Sequence, residues 1–216
     1  MAQNGNQETV RQANPYLILS HDHSDPSAGG EVFADTATVI AHENAKATII
    51  GEGRPTAAPD LTFSDTMTVT LGGKSVELTF IGASHSDNLI VMNFPAERTL
   101  FAVDIVSVRC VAYKTLSVSY FPGWINGLRK IGAIDFDILA PGHGPLGVKA
   151  NVMANRGYIG ALYTGVLSGL RKGKTLETLK ANLTLDTYKD WGRYKEWRPL
   201  NIEGVYNRIQ LQRRAR

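Results

Sequence analysis

Between residues 16 and 140 the apolar runs are short, and each stops abruptly in a polar or glycine-bearing segment. That pattern favours strands closed by loops over long helices. Tyr16-Leu-Ile-Leu-Ser20 reads as a buried strand ending in His21-Asp-His-Ser-Asp25-Pro26, and Gly29-Gly30 opens a short segment through Phe33. Thr38–Ala41 reads as a second strand, Glu43–Ile50 as a helix, and 54–60 as a Pro-containing loop. Met67–Leu71 and Ser75–Ile81 flank Gly72-Gly73 and predict a hairpin. Asn88–Phe94 and Thr99–Val103 flank Pro95–Arg98 and predict another strand pair. A helix over Gly123–Ile131 and a short strand over Phe136–Ala140 precede the tight turn Pro141-Gly-His-Gly-Pro145. From Val148 to Leu170 the apolar spacing becomes helical, with further helices expected near Leu176–Asn182 and Glu203–Leu211.

The 216 residues suffice for one domain and its core, and no Ser/Gly linker divides them. The expectation is one α/β domain over residues 1–150 with a helical C-terminal extension, 151–216, packed on it. Apolar runs such as Leu89–Met92 fall far short of the ~18 residues a membrane span needs, so no membrane partner is expected. Cys110 is the single cysteine and cannot form an internal disulfide. The first fifteen residues are polar and lack an apolar signal core, so the chain as written reads as cytoplasmic. The net charge of +3 is concentrated late, in Arg193, Lys195, Arg198, Arg208, Arg213, Arg214 and Arg216 against Glu196 and Glu203. No RNA motif accompanies this run. It reads as the solvated face of a last helix, and nucleic acid is not the expected partner.

Chemistry concentrates in the histidines. His21, His85 and His143 each stand where an expected strand runs into a loop, and His23 lies two residues beyond His21. Strand ends are where open α/β sheets place function. In an extended segment His21, His23 and Asp25 would all point the same way. Two imidazoles and a carboxylate offered to one volume suit zinc, manganese or iron. Asp104 closes the strand Leu100-Phe-Ala-Val-Asp104, and His143 sits between Gly142 and Gly144.

Taken in order, Ser20-His-Asp-His-Ser-Asp25, Ser84-His85, Phe101-Ala-Val-Asp104 and Pro141-Gly-His143-Gly resemble the metallo-β-lactamase-fold hydrolases. The signature of that superfamily is His-x-His-x-Asp-His, then a His, an Asp and a final Gly-His. The resemblance runs from about Tyr16 to at least Ala150, and it is specific for fold and unspecific for substrate. It implies a four-layer αββα sandwich with metal at one edge between the sheets. It also implies that His21, His23 and His85 hold a first metal, that Asp25 and His143 hold a second, and that Asp104 bridges both. The implied cofactor is one or two Zn2+, with iron or manganese as alternatives. Such a metal lowers the pKa of bound water towards about 7. Asp25 would then be the catalytic carboxylate that orients the attacking hydroxide.

Two features depart from the superfamily pattern. Pro26 stands where the motif has histidine and offers no donor atom, so the second site keeps Asp25, Asp104 and His143. Only twenty residues precede His21, where relatives place two or more hairpins and a helix, so the N-terminal part of the sandwich reads as shortened. A truncated gene product, a misassigned start that also removed a signal peptide, and a chain that completes its sheet by association as a homo-oligomer all fit that start.

His42 reads as structural, bonding backbone near the metal loop, and Asp22 as pointing away from its neighbours or orienting a histidine. Cys110 reads as a non-ligand. Tyr113, Lys114 and Tyr120, in the loop after Asp104, read either as binding an anionic substrate group or as plain surface. Trp124, Trp191 and Trp197 read as core or helix contacts. The leading expectation is a metal-dependent hydrolase acting on a small ester, thioester, lactone, lactam or sulfate ester. The alternatives are a metal-binding but catalytically impaired relative and a nucleic-acid phosphodiesterase.

Overall fold

The structure, a computed structural model, describes residues 15–117 and 119–213. The polar first residues, together with Arg214 and Arg216 of the basic run, lie outside the described residues.

Strand β2 (Thr38–His42) shows how the layers arise. Val39 and Ala41 join Leu19 against Ala45 and Ile49 of helix α2 (Glu43–Glu52). Ile40, between them in sequence, faces the other way and meets Phe63, Val76, Leu78, Ile90 and Met92. A strand apolar on both faces has to be covered on both sides. The first sheet is parallel, in the order β1 (Tyr16–Ile18), β2, β3 (Leu61–Phe63).

The second sheet has five strands in sequence order: β4 (Thr66–Leu71), β5 (Lys74–Phe80), β6 (Ile90–Phe94), β7 (Thr99–Phe101) and β8 (Ile138–Ala140). All of its pairs are antiparallel except β7 with β8. Alternation again sorts the side chains. Ile90 and Met92 face the first sheet, while Val91, with Leu100 and Leu139, faces a large core against the helices. Those helices are α3 (Phe121–Ala133), α4 (Lys149–Arg171), α5 (Leu176–Asn182) and α6 (Tyr194–Arg213). Trp124, Leu128, Val152, Ile159, Leu162, Ile202 and Val205 share that core with the sheet. The result is the expected four-layer order, helix, sheet, sheet, helices, with three strands in the first sheet.

Three local expectations are corrected. The chain does not stay extended through Asp25: it turns into a short helix, α1 (Ser24–Ser27), with His23 as its N-cap. Strand β3 forms in a stretch that gave no strand signal, because pairing with β2 gives Leu61–Phe63 its partner. Helix α6 starts at Tyr194, well before Glu203, and contains Pro199. Proline removes one hydrogen bond near the start of this helix, and burial of Ile202 and Val205 in the large core offsets it.

The start of α3 fixes two loops at once. A Cβ on Gly123 would sit 1.9 Å from the Ala83 carbonyl oxygen. Tyr120 N–H donates to Ser84 O at 2.7 Å, and the Trp124 indole N–H donates to Ile105 O at 2.9 Å. Gly123→Ala should therefore destabilise the protein by about 2 kcal/mol, the usual overpacking range, despite alanine's better helix propensity. Gly160→Ala, in α4 with open space around it, should instead stabilise by about 0.5–1 kcal/mol. Urea unfolding of both variants checks the contrast; equal and opposite effects are not expected, but opposite signs are.

Candidate metal centre

His21, His23 and His85 come from the loops that follow β1 and β5 and meet with ring centroids 4.6, 4.8 and 5.2 Å apart. His21 is fully buried. Its Nδ1 lies 3.1 Å from Ser20 Oγ, while Nε2 has no hydrogen-bond partner among the described residues. His85 Nε2 lies 3.0 Å from His23 Nδ1. Asp25, Asp104 and His143 form a second trio: His143 Nε2 is 2.9 Å from Asp25 Oδ2 and 3.4 Å from Asp104 Oδ1. Within each trio the donor atoms lie within 4.8 Å of one another.

Asp104 stands between the trios and divides its oxygens. Oδ2 faces His21 Nε2 at 3.5 Å and His85 Nε2 at 3.8 Å, while Oδ1 faces His143. The backbone is bent to allow this. Asp104 has φ +59°, a region non-glycine residues rarely adopt, and Ile105 N–H turns back to Val103 O at 2.7 Å. Gly142, at φ +79°, lies so close to Val103 that a Cβ would be 2.9 Å from its Cγ1, which seats the His143 turn against the turn that carries Asp104.

Burial, then the neighbouring His85, His23 and His143, lowers the His21 pKa to about 2. Burial, then His23, lowers that of His85 to about 4. Both imidazoles are neutral near pH 7 and keep a lone pair. Burial, then the Asp25 charge, raises the Asp104 pKa. The hydrogen bond that His143 donates to Asp25 raises the His143 pKa, and this ring is mostly exposed. A buried nitrogen without a partner, neutral imidazoles and two carboxylates close together fit a bound cation of the zinc, iron or manganese kind.

The residues around the trios hold them in place. Asp22 points away from the histidines: Asn88 Nδ2 donates to its Oδ1 at 2.8 Å, its own N–H donates to Asn88 Oδ1 at 3.0 Å, and Arg54 donates to Oδ2 at 3.2 Å. His42 belongs to neither trio. Its Nδ1 accepts from Asn44 N–H, capping α2, so Nε2 donates to Ser64 O at 3.0 Å. Pro26 lies within α1. Cys110 donates to Gly192 O at 3.2 Å, and burial raises its thiol pKa.

A cavity of about 800 Å3 opens at His23, Asp25, His85, Asp104 and His143. Tyr113 and Lys114 line it, as does Trp124, which is also core. Arg193 and Trp197 line it too; the sequence reading gave Trp197 a packing role and Arg193 a solvated one. Arg54 and Asn88 also went unnoticed, since an arginine in a Pro-containing loop and an Asn beside a histidine carry no signal of their own.

No protein-family model matches the chain. The α subunit of 2,4-dinitroanisole O-demethylase from Nocardioides sp. strain JS1661 is 29% identical over 130 residues, 59% of this chain and 39% of that protein. A metallo-β-lactamase from Pontibacter korlensis superposes with a TM-score of 0.60 at 22% identity, over 68% of this chain and 69% of that one. The stereoselective inverting sec-alkylsulfatase Pisa1 from Pseudomonas sp. superposes with a TM-score of 0.75 at 17% identity, over 92% of this chain and 42% of that one. The chain thus has the metallo-β-lactamase fold, and it spans less than half of the demethylase subunit and of the alkylsulfatase. Among the described residues no helix is long and apolar enough to cross a membrane.

The lowered histidine pKa values carry a pH dependence. An unfolded His takes up its proton near 6.5, before buried His85 at about 4 or His21 at about 2. The unfolded chain binds more protons in that window, so stability falls as pH drops from 6.5 towards 4. His143 and Asp104, whose pKa values are raised, act in the opposite sense; His143 is exposed and solvent screens it, and Asp104 is one group against two imidazoles. Thermal midpoints of the chelator-treated protein should fall steadily across this range. A flat profile would mean that the imidazoles titrate alike in both states.

Proposed function

We propose that this chain is a metal-dependent hydrolase of small esters, thioesters, lactones, lactams or sulfate esters, with zinc as its metal. The observation that carries the reading is Asp104, one carboxylate with Oδ2 turned to the histidine trio and Oδ1 to His143 of its own trio. Zinc held there would supply a Lewis acid and a water acidic enough to attack at neutral pH.

The chain's own groups do the rest. His21 and His85 stay neutral and keep their lone pairs for binding. Asp25, with Oδ2 engaged by His143 Nε2, keeps Oδ1 to orient an attacking water and accept its proton. The cavity admits a small molecule and brings it against these groups. No protein nucleophile is required. The fold likeness supports hydrolysis as a class and leaves the bond open, because the similar proteins are named for a lactamase, a sulfatase and a demethylase. Both trios are complete without position 26, which favours a working site over an impaired one.

Elemental analysis of the purified protein should find close to two metal ions per chain, and 4-nitrophenyl acetate, a lactone, an alkyl sulfate and a β-lactam should be screened for turnover. Absence of both metal and turnover after zinc is supplied would overturn the proposal. His85→Ala should remove metal and lower hydrolysis by more than the ~10–100-fold that losing an outer hydrogen bond costs. His42→Ala should keep the metal and lose roughly 2 kcal/mol of stability, because it removes a helix cap and a buried ring. Asp104→Asn should empty the Asp25–His143 side first, read as a fall towards one ion per chain.

A further inference from the structure

Past the His and Asp side chains, Trp124 and the 141–145 turn line part of the cavity, and the rest is lined by two stretches of chain far apart in sequence, residues within 106–117 and Arg193 with Trp197. Apart from Asp25, Asp104 and the histidines, its charged lining residues are Lys114 and Arg193, both cations. They belong to one cluster. The Tyr113 and Trp197 rings meet edge to face with centroids 5.1 Å apart. Lys114 Nζ lies 4.7 Å from the Tyr113 centroid, and the Arg193 guanidinium lies 5.6 Å from that of Trp197. Among the described residues the carboxylate paired with Arg193 is that of Glu196 at 3.8 Å, and both side chains are largely exposed, so this pair holds the guanidinium only loosely.

The cluster is built rather than left loose. Gly192 N–H donates to Arg109 O at 2.8 Å, Val111 N–H to Gly192 O at 3.2 Å, and the Cys110 thiol to the same oxygen. Asn201 of α6 donates to Ala112 O at 2.8 Å and to Lys114 O at 2.6 Å. A Cβ on Gly204 would be 1.6 Å from Thr115 O, so α6 rests directly on the loop backbone. Lys114, Leu116 and Arg193 all have positive φ. Left-handed non-glycine residues persist only where the surroundings over-determine them.

We propose that this cluster is the substrate-recognition end of the cavity. Tyr113 and Trp197 clasp an apolar or aromatic body, and Lys114 and Arg193 hold an anionic group carried on it. Neither cation pairs with Asp25 or Asp104, whose ion-pair partners are histidines. In this proposal the anion is a group other than the bond that is cleaved. The substrate class is an ester-like molecule with an apolar body and a distal carboxylate or sulfonate. The reaction in this statement rests on the hydrolase reading; the binding does not.

The test is calorimetric titration of the zinc-supplemented full chain with 2-naphthalenesulfonate and, as a neutral comparator, 2-naphthalenemethanol. The anion should bind about tenfold tighter, the ratio that one charge-assisted hydrogen bond supports. Lys114→Gln and Arg193→Gln should each cut that ratio about threefold, and together they should bring it near one. Trp197→Ala should weaken both probes. Lys46→Gln, on α2 in the opposite outer layer, should leave the ratio intact and so excludes a bulk-charge effect. Equal binding of the two probes, a ratio that survives the double substitution, or a ratio that falls as much in Lys46→Gln would each overturn the subsite. Turnover of a 4-nitrophenyl ester separates the two proposals. A subsite that fails while the ester is hydrolysed leaves the hydrolase standing, and a subsite that holds in a protein with no turnover overturns only the reaction.

Discussion

An imidazole with no exposed surface and one ring nitrogen without a protein partner destabilises the chain that carries it, and much of this architecture is arranged around that one group. His21 lies just past strand β1 of the first sheet, where Leu19 N–H is bonded to Ile40 O. Ser20 fixes its ring, and Asp22 fixes the backbone on its other side through Asn88 and Arg54. A buried polar atom without a partner costs of order 1–3 kcal/mol. A bound cation would remove that cost and, by relieving the Asp25–Asp104 repulsion, a second one. Folding and metal uptake are then two readings of the same free energy.

The donors are held by one another's supports. Ile90 N–H bonds Ser20 O, so the strand that follows the His85 loop is tied to the His21 strand end. The first turns of α3 grip the His85 loop through Ser84 and the Asp104 loop through Ile105. Asp104 N–H reaches Pro141 O, which ties the carboxylate to the His143 turn. No donor sits on a free loop, and so each can be held near its working position without the others being rebuilt.

Much of this was legible in the residues. The short apolar runs gave the strands, and the order of His21-x-His23, His85, Asp104 and His143 at strand ends pointed to the fold. What escaped had a physical reason in each case. Period-two alternation holds to His23 and not to Asp25, because the helical turn at Ser24 instead carries Asp25 to the other trio. β3 has little pattern of its own and exists because β2 offers it hydrogen bonds. α6 begins before a proline that local propensity reads as a stop, because two buried aliphatic residues further along outweigh one missing bond. Arg193 and Trp197 reach the cavity only through contacts between segments some eighty residues apart in sequence, and no local motif encodes them.

The cavity's two ends are carried by different parts of the chain. The His and Asp end is anchored on the sheets and on α3, whereas much of the far wall stands on the segment around Gly192 and the first turns of α6. Substitutions there can change the shape and charge of that wall while the His and Asp side chains keep their places. A side chain exchanged near residue 193 would then reshape one wall of the cavity and leave the His and Asp cluster, held by other supports, as it stands.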